Sequence, residues 1–257
     1  MRIGLFDSGV GGTSIWKELI KVLPNESTLY LADSKNAPYG ERSQKEILNL
    51  CIKNTELLIE RGAKLIIVAC NTATTNAISY LREHYDIPFI GIEPAIKPAA
   101  LASKNKCVGI LATKGTLNSS LFAKTSKNFD SIKFVECIGT GLVEKVEAGE
   151  LDSPELRKLL KSYLDPMLDQ NIDQLVLGCS HYPYLIPVIQ DLIGSDIPII
   201  DSGFAVAKQT KHILEKNKLL DPSKTRGNYE FYTNVNSHNL IKLLGEDPNI
   251  EVREVDF

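Results

Sequence analysis

Three features of secreted, membrane-bound or nucleic-acid-binding proteins are missing from this chain of 257 residues. No apolar stretch approaches the roughly 20 residues that a membrane-spanning helix needs. Residues 1–7 pass directly into an apolar strand pattern and lack the charged, apolar and cleavage regions of a secretory signal. A formal net charge of -3 leaves no basic footprint for nucleic acid. We therefore expect a soluble cytoplasmic protein without a nucleic-acid or membrane partner.

Cysteine is scarce, and its pattern excludes two further classes. The five cysteines are odd in number and form no Cys-x-x-Cys pair, which argues against a disulfide framework or a structural zinc site. No cluster of His, Asp and Glu has metal-ligand spacing, and no strand-end lysine is placed to bind pyridoxal phosphate, so we expect neither a metal nor a cofactor. Cys51, Cys107 and Cys137 lie in apolar stretches and are predicted to be buried small hydrophobic side chains.

The two remaining cysteines, Cys70 and Cys179, each follow a short apolar run and precede a small polar residue. A strand that ends in this way delivers a thiol to the carboxyl edge of a parallel sheet, where open α/β folds keep their sites. The strand patterns that end at Asp7 and Thr113 are also alike, and they precede the two cysteines by nearly the same distance along the chain. We infer a duplicated half that presents two thiols to one crevice.

Strand and helix patterns alternate along the whole chain, which predicts a mainly parallel sheet covered by helices on both faces. We expect an α/β fold with two pseudo-symmetric, doubly wound domains and an active site in the crevice between them. Gly and Pro residues near 91–98 and 201–203 indicate turns at which the chain passes from one domain to the other. We therefore place the first domain at 1–94 plus 205–257 and the second at 95–204. Strands are predicted at 3–6, 28–32, 65–69, 89–92, 108–112, 133–137, 174–177, 197–201 and 229–233.

Glycine is concentrated in residues 7–14, directly after the first predicted strand. Free backbone amides in such a turn can hold a phosphate or a carboxylate. The segment departs from the Gly-x-Gly-x-x-Gly pattern, and Asp7 at its start argues against a pyrophosphate. A purely structural turn, with Asp7 as a helix cap or turn former, is the alternative.

Asp7 and His181 would give each thiol a different polar neighbour. A thiol with a pKa of about 8.5 is mostly protonated at neutral pH and needs a basic partner to draw its proton. A single activated cysteine would suit acyl transfer. Two facing thiols can instead take a proton from one side of a carbon and give one to the other, which is the geometry for inverting a stereocentre.

Five motifs in order then show a resemblance to a known family. They are Phe-Asp-Ser-Gly-Val-Gly-Gly at 6–12, Ala-Asp-Ser at 32–34 followed by Pro-Tyr-Gly at 38–40, Val-Ala-Cys-Asn-Thr-Ala at 68–73, Gly-Ile-Glu-Pro at 91–94, and Gly-Cys-Ser-His-Tyr-Pro at 178–183. With these motifs the chain resembles the bacterial glutamate racemases of the aspartate/glutamate racemase superfamily along its full length.

The resemblance implies a cofactor-independent interconversion of L- and D-glutamate that supplies D-glutamate for peptidoglycan, by a protein that forms a homodimer. It implies that Cys70 takes the α-proton from the D-isomer and Cys179 from the L-isomer. Asp7 would assist Cys70, His181 would assist Cys179, and Glu147 would lie near His181, with Glu144 as an alternative to Glu147. The implied substrate contacts are Asp7, Ser8, Tyr39, Gly40, Asn71, Thr72, Thr113, Thr116, Ser180 and His181.

Two other functions stay open at this point. One is racemisation of aspartate or another small acid, such as a hydantoin, on the same scaffold. The other is a catalytically silent module that binds a dicarboxylate or a partner protein, against which the retention of both cysteines argues. Ser180 stands where most glutamate racemases have threonine; it keeps the hydroxyl, so substrate binding should survive. Packing is the alternative role for Tyr39.

Overall fold

The computed structural model describes all residues, 1–257. Ten strands and eleven helices alternate along the chain. The strands are β1 (Arg2–Asp7), β2 (Thr28–Ala32), β3 (Ala63–Val68), β4 (Phe89–Gly91), β5 (Cys107–Ala112), β6 (Lys133–Ile138), β7 (Gln174–Gly178), β8 (Ile199–Ile200), β9 (Tyr229–Thr233) and β10 (Ile250–Glu254). The helices are α1 (Thr13–Val22), α2 (Gln44–Glu60), α3 (Asn71–His84), α4 (Ile96–Ala102), α5 (Lys114–Leu117), α6 (Ser120–Ser126), α7 (Leu142–Glu147), α8 (Pro154–Leu168), α9 (Ile186–Ile193), α10 (Gly203–Lys216) and α11 (His238–Leu244).

The strands form two sheets in which every neighbouring pair is parallel. The first sheet has six strands in the order β10-β9-β2-β1-β3-β4, and the second has four in the order β6-β5-β7-β8. The order β2-β1-β3-β4 thus recurs as β6-β5-β7-β8, which confirms the duplicated plan and the predicted fold class. Cys70 follows β3 and Cys179 follows β7, at equivalent places in the two sheets.

Local sequence signals explain where two of the longer helices begin. Ser43 accepts a hydrogen bond from the backbone N–H of Glu46 while the Glu46 carboxylate bonds back to Ser43, so a capping box opens α2. Gly62, with φ of 80°, follows the end of that helix. Ser153 caps α8, whose first residue is Pro154, a residue well suited to the first turn of a helix.

The edges of the sheets differ from the expectation. β10 was not predicted, because three of its five residues are charged and the strand lies at an edge, bonded only to β9. The strand predicted at 197–201 is reduced to Ile199–Ile200, since β8 is also an edge strand and pairs with β7 at two positions only. Short or charged edge strands resist pairing with other chains. Their shortness and charge also make the strand pattern weak in the sequence.

The largest hydrophobic core is continuous between the two halves. It contains 38 buried residues, among them Ile3 and Trp16 of the first half and Leu142 and Tyr182 of the second. Trp16 packs edge-on against Tyr229, with ring centroids 5.3 Å apart. The two sheets are therefore held together by shared apolar burial.

None of the helices has the length and hydropathy needed to cross a bilayer.

The five cysteines are all free thiols. Cys51 and Cys107 are buried, as predicted. Cys137 is only half-buried, so the prediction for this residue was wrong. It lies in β6, at the edge of the second sheet, where one face of the strand is left open to solvent.

Candidate active site

A small cavity lies between the two halves, and both cysteines line it. Its volume of about 10 Å³ is close to the minimum for a single water. Pro38 and Val143 also line it and were not singled out from the sequence; Pro38 belongs to a quoted motif, whereas Val143 carries no signal. Ten of the thirteen predicted residues line the cavity: Ser8, Tyr39, Gly40, Cys70, Asn71, Thr72, Thr113, Cys179, Ser180 and His181. The other three, Asp7, Thr116 and Glu147, are not among its lining residues.

Cys70 stands at the N-terminal cap of α3. Its Sγ accepts a hydrogen bond from the backbone N–H of Ala73 at 3.5 Å and donates to Oγ of Ser8 at 3.7 Å. Burial raises the pKa of Cys70 well above its usual value, and the charge of Asp7 adds to the rise. The helix N-terminus offsets part of this, because its N–H groups favour a thiolate.

Asp7, the last residue of β1, is fully buried. Its Oδ2 accepts from the backbone N–H of Gly12 at 2.8 Å, and its Oδ1 accepts from Oγ of Ser180 at 3.1 Å. Burial raises the pKa of Asp7, although His181, Gly12 and the thiol of Cys70 all act to lower it. The carboxyl group is thus placed beside Cys70 in an environment where it can accept a proton.

His181 lies beside Cys179 on the other side of the cavity. The Sγ of Cys179 and Nδ1 of His181 are 3.8 Å apart, and Nε2 of His181 is 2.6 Å from Oε1 of Glu147. Burial alone would lower the pKa of His181, but hydrogen bonds to Cys179 and Glu147 and the charge of Asp7 outweigh it and raise this pKa well above its usual value. The imidazole is therefore a stronger base than a free histidine.

Glu147, the last residue of α7, is the acidic residue that reaches His181, whereas Glu144 is exposed. Its carboxylate also accepts from the backbone N–H of Val10 at 2.7 Å and from Oγ of Ser34 at 2.8 Å. Burial would raise the pKa of Glu147, but the bonds from His181, Ser34 and Val10 lower it. Glu147 is held as a carboxylate.

Three threonine hydroxyls meet where the two halves touch. Oγ1 of Thr72 lies 2.9 Å from Oγ1 of Thr113 and 3.5 Å from that of Thr116. Thr113 and Thr116 are also 2.9 Å apart, and Thr113 caps α5. Thr116 is fully buried behind Thr72 and Thr113, and it reaches the cavity only through them.

Tyr39 both lines the cavity and packs in the first half. Its hydroxyl donates to Oδ2 of Asp33 at 2.5 Å and accepts from Nδ2 of Asn54 at 3.1 Å. The next residue, Gly40, lies so close to the second half that an added Cβ would stand 3.1 Å from Cβ of Thr113. Glycine permits this close approach, which closes one side of the cavity.

Asn71 is the one polar lining residue whose side chain has no hydrogen bond at all. Its amide nitrogen and oxygen are both buried and lack a partner in the protein. Buried amides are nearly always hydrogen-bonded. An amide that is left unpartnered against the cavity is suited to bind a polar ligand.

Backbone amides of the glycine-rich turn bind two of the protein's own carboxylates. The N–H of Gly12 bonds Asp7, and the N–H of Val10 bonds Glu147. No group of three or more His, Cys, Asp or Glu side chains is arranged to hold a metal ion. Larger cavities of about 530 and 240 Å³ open beside Gly40, but neither contains a cysteine.

Residues 8–210 match the sequence profile of the Asp/Glu/Hydantoin racemase family. The chain belongs to this family. It is 47% identical over 220 residues to the glutamate racemase of Ectopseudomonas mendocina, with 85% of this chain and 84% of that protein covered. It superposes on the crystal structure of the glutamate racemase isoform RacE1 from Bacillus anthracis with a TM-score of 0.89 and 32% identity, covering 99% and 97% of the two chains.

A Francisella tularensis glutamate racemase in complex with D-glutamate superposes with a TM-score of 0.84 and 30% identity, over 98% of this chain and 97% of that one. The cavity of this chain is lined by two thiols, which follow equivalent strands of the two sheets. One thiol has a carboxyl neighbour and the other an imidazole neighbour. Such an arrangement can exchange a proton on either side of one carbon.

Proposed function

We propose that this protein is a glutamate racemase that interconverts L- and D-glutamate without a cofactor, through two cysteines. The observation that carries the proposal is the placement of Cys70 and Cys179. They lie at equivalent positions of the duplicated topology, line one cavity and have separate polar neighbours. The glutamate racemases named above support the choice of substrate.

In the proposed reaction, Cys70 as a thiolate takes the α-proton of D-glutamate while the thiol of Cys179 gives a proton to the opposite face. L-glutamate reacts in the reverse sense, starting from the thiolate of Cys179. Asp7 assists the proton transfers of Cys70, and His181, oriented by Glu147, assists those of Cys179. The Cα–H bond breaks on one side and forms on the other, so the proton count of the enzyme is unchanged.

We propose that neutral hydroxyl, amide and backbone groups around the cavity bind the two carboxylates and the amino group of the substrate glutamate. Asn71 supports this assignment, because its buried amide has no partner in the protein. Preorganised donors of this kind stabilise the carbanion-like state in a site from which water is excluded. The assigned contacts are Asp7, Ser8, Tyr39, Gly40, Asn71, Thr72, Thr113, Thr116, Ser180 and His181.

We also propose that the two halves move apart at the cavity to admit the substrate, while the core that they share elsewhere stays packed. A cavity of about 10 Å³ is far too small for an amino acid. The proposed domains are residues 1–94 plus 205–257 and residues 95–204. Two sets of contacts support these boundaries. Helix α4 packs on β7 of the second domain, whereas α10 packs on α1 and β4 of the first. Ser202 donates a hydrogen bond to the carbonyl of Glu93, so the two points at which the chain passes between the domains are adjacent.

In the cell, the proposed activity supplies D-glutamate for peptidoglycan in the cytoplasm. We propose a homodimer as the assembled form. Sedimentation of the purified protein at several concentrations tests this assembly, and a mass of one chain at all concentrations contradicts it.

The experiment that tests the function is α-proton exchange by the purified protein in deuterated buffer without added cofactor. L-glutamate and L-aspartate are offered separately, exchange is followed by NMR, and a chiral assay identifies the product. Exchange of glutamate with inversion is the expected result. Exchange of aspartate alone moves the function to aspartate racemisation, and exchange of neither substrate contradicts the proposal and leaves a binding module.

A variant with both Cys70→Ala and Cys179→Ala is the matched control. It should show no exchange under conditions in which Cys51→Ala retains full exchange, because Cys51 is buried and does not line the cavity. Exchange by the double variant at the native rate contradicts the assignment of the thiols.

A further inference from the structure

We propose that Ser34 is a positioning residue, which holds Glu147 against His181 only when the two halves are closed and thereby prepares Cys179 for its proton transfer. The inference rests on the proposed racemase function. Closure of the two halves would then have two effects. It would exclude water from the site, and it would also bring together the groups that make His181 a base for Cys179.

The carboxylate of Glu147 is bonded from both halves at once. Its Oε1 is 2.6 Å from Nε2 of His181, which belongs to the second half, and accepts from the N–H of Val10 at 2.7 Å. Its Oε2 accepts from Oγ of Ser34 at 2.8 Å. Val10 follows β1 and Ser34 follows β2, so two of the three donors come from the first half.

The fit of Glu147 against the first half is close. A Cβ added to Gly9 would stand 1.9 Å from Oε1 of Glu147, so only a glycine leaves room for the carboxylate. The side chain of Glu147 is 17% exposed in the closed form. Separation of the halves would withdraw Val10 and Ser34 together and leave the carboxylate free to turn into water.

Glu147 transmits this change to the reacting groups through His181. A carboxylate on one imidazole nitrogen fixes the orientation of the ring and stabilises its protonated form. The other ring nitrogen is 3.8 Å from Sγ of Cys179. Closure therefore favours transfer of the Cys179 proton to His181 at the time when the substrate is enclosed. Cys70 has no contact with Glu147 and is supported by Asp7.

The test uses Ser34→Ala, the conservative Ser34→Thr, and Ser162→Ala as a matched control. The hydroxyl of Ser162 is exposed and bonds only within its own helix. We expect Ser34→Ala to lower kcat for racemisation about five- to tenfold with KM changed less than twofold, Ser34→Thr to restore most of kcat, and Ser162→Ala to have no effect. An unchanged kcat in Ser34→Ala overturns the proposal.

A double-mutant cycle separates positioning from general packing. In a Glu147→Ala background, the acceptor of the Ser34 hydroxyl is gone, so Ser34→Ala should then change kcat by less than twofold. An equal loss in both backgrounds overturns the proposal, because Ser34 would then act independently of Glu147. If the native protein does not racemise glutamate, the proposed function fails instead, which is a separate outcome.

A face-specific readout follows from the two thiols. Ser34→Ala should slow α-proton exchange of L-glutamate in a Cys70→Ser background, where Cys179 acts alone. It should slow exchange of D-glutamate less in a Cys179→Ser background, where Cys70 acts alone. Equal slowing on both faces contradicts the proposal.

Discussion

Asp7 and Ser180 lie in different halves of the protein and are hydrogen-bonded to each other, with Oγ of Ser180 donating to Oδ1 of Asp7 at 3.1 Å. Asp7 ends β1 and Ser180 follows Cys179 after β7. The neighbour of one thiol is thus tied to the residue next to the other thiol. This bond makes the two sides of the proposed site interdependent.

Ser180→Ala removes the only side-chain donor to Asp7 that comes from the second half. We expect the pKa of Asp7, already raised by burial, to rise further, so the acid limb of the kcat/KM profile should move to higher pH. The measurement is racemisation between pH 5 and 8. Ser180→Thr retains the hydroxyl and should keep the native profile; the same acid limb in Ser180→Ala would show that Asp7 does not control it.

Cys70→Ser and Cys179→Ser should each lower racemisation in both directions, because in the proposed reaction both thiols act in either direction. General acid–base groups typically contribute about 10²–10⁴-fold, and we expect losses in that range. Chiral assay of the product measures racemisation, and NMR in deuterated water measures exchange. Each variant can retain exchange on the face of its remaining thiol. Full racemisation by either variant contradicts the two-thiol scheme.

Asn71→Ala should separate activity from stability. The amide of Asn71 is buried without a partner, so its removal loses no hydrogen bond of the folded protein, and the free energy of unfolding should change by less than about 1 kcal/mol. In contrast, kcat/KM for glutamate should fall about tenfold or more.

Asn249→Ala is the matched control for Asn71→Ala, since Nδ2 of Asn249 donates to the carbonyl of Gly227 at 3.1 Å, far from the site. This control should lose stability by about 1 kcal/mol and keep its activity. Urea unfolding and steady-state kinetics provide both readouts. A stability loss above about 2 kcal/mol in Asn71→Ala with unchanged kcat/KM would show a structural role for that amide.

His181 should make the stability of the protein depend on pH. Its pKa is raised in the folded state above the usual 6.5, so the folded protein keeps a proton that the unfolded chain releases. This contribution is fully present below about pH 6.5 and is lost as the pH rises through the folded pKa, with a slope of about 1.4 kcal/mol per pH unit at most.

Urea unfolding at pH 6.5, 7.5 and 8.5 measures this dependence. His181→Asn should flatten the decline of the unfolding free energy over this range, whereas His212→Asn, at an exposed position, should leave it unchanged. Parallel declines in the native protein and His181→Asn would show that other groups cause the dependence.

The positions of the two cysteines at sheet edges could be predicted from sequence because the signals are local. Cys70 and Cys179 each follow a short apolar run, and a parallel sheet brings such ends to one edge. The capping box at Ser43 and Glu46 is likewise contained in four residues. The roles assigned to the site residues rest on the resemblance and stay predictions.

Other features depend on contacts between distant segments and leave no local pattern. The bonds from Val10 and Ser34 to Glu147 join residues more than a hundred positions apart. The edge strand β10 is set by its pairing with β9 rather than by its own charged sequence. The half-exposure of Cys137 follows from its place on an edge strand, which its apolar neighbours in sequence do not reveal.

Because the order β2-β1-β3-β4 recurs as β6-β5-β7-β8, each direction of the proposed racemisation begins at a thiol with its own supporting residue. Enantiomers have equal free energies in water, so the equilibrium constant is one and kcat/KM must be the same in both directions, whatever the enzyme. The individual kcat values are not bound in this way. Because Asp7 serves one strand end and His181 the other, substitutions in either support can change the rate from one saturated enantiomer more than from the other.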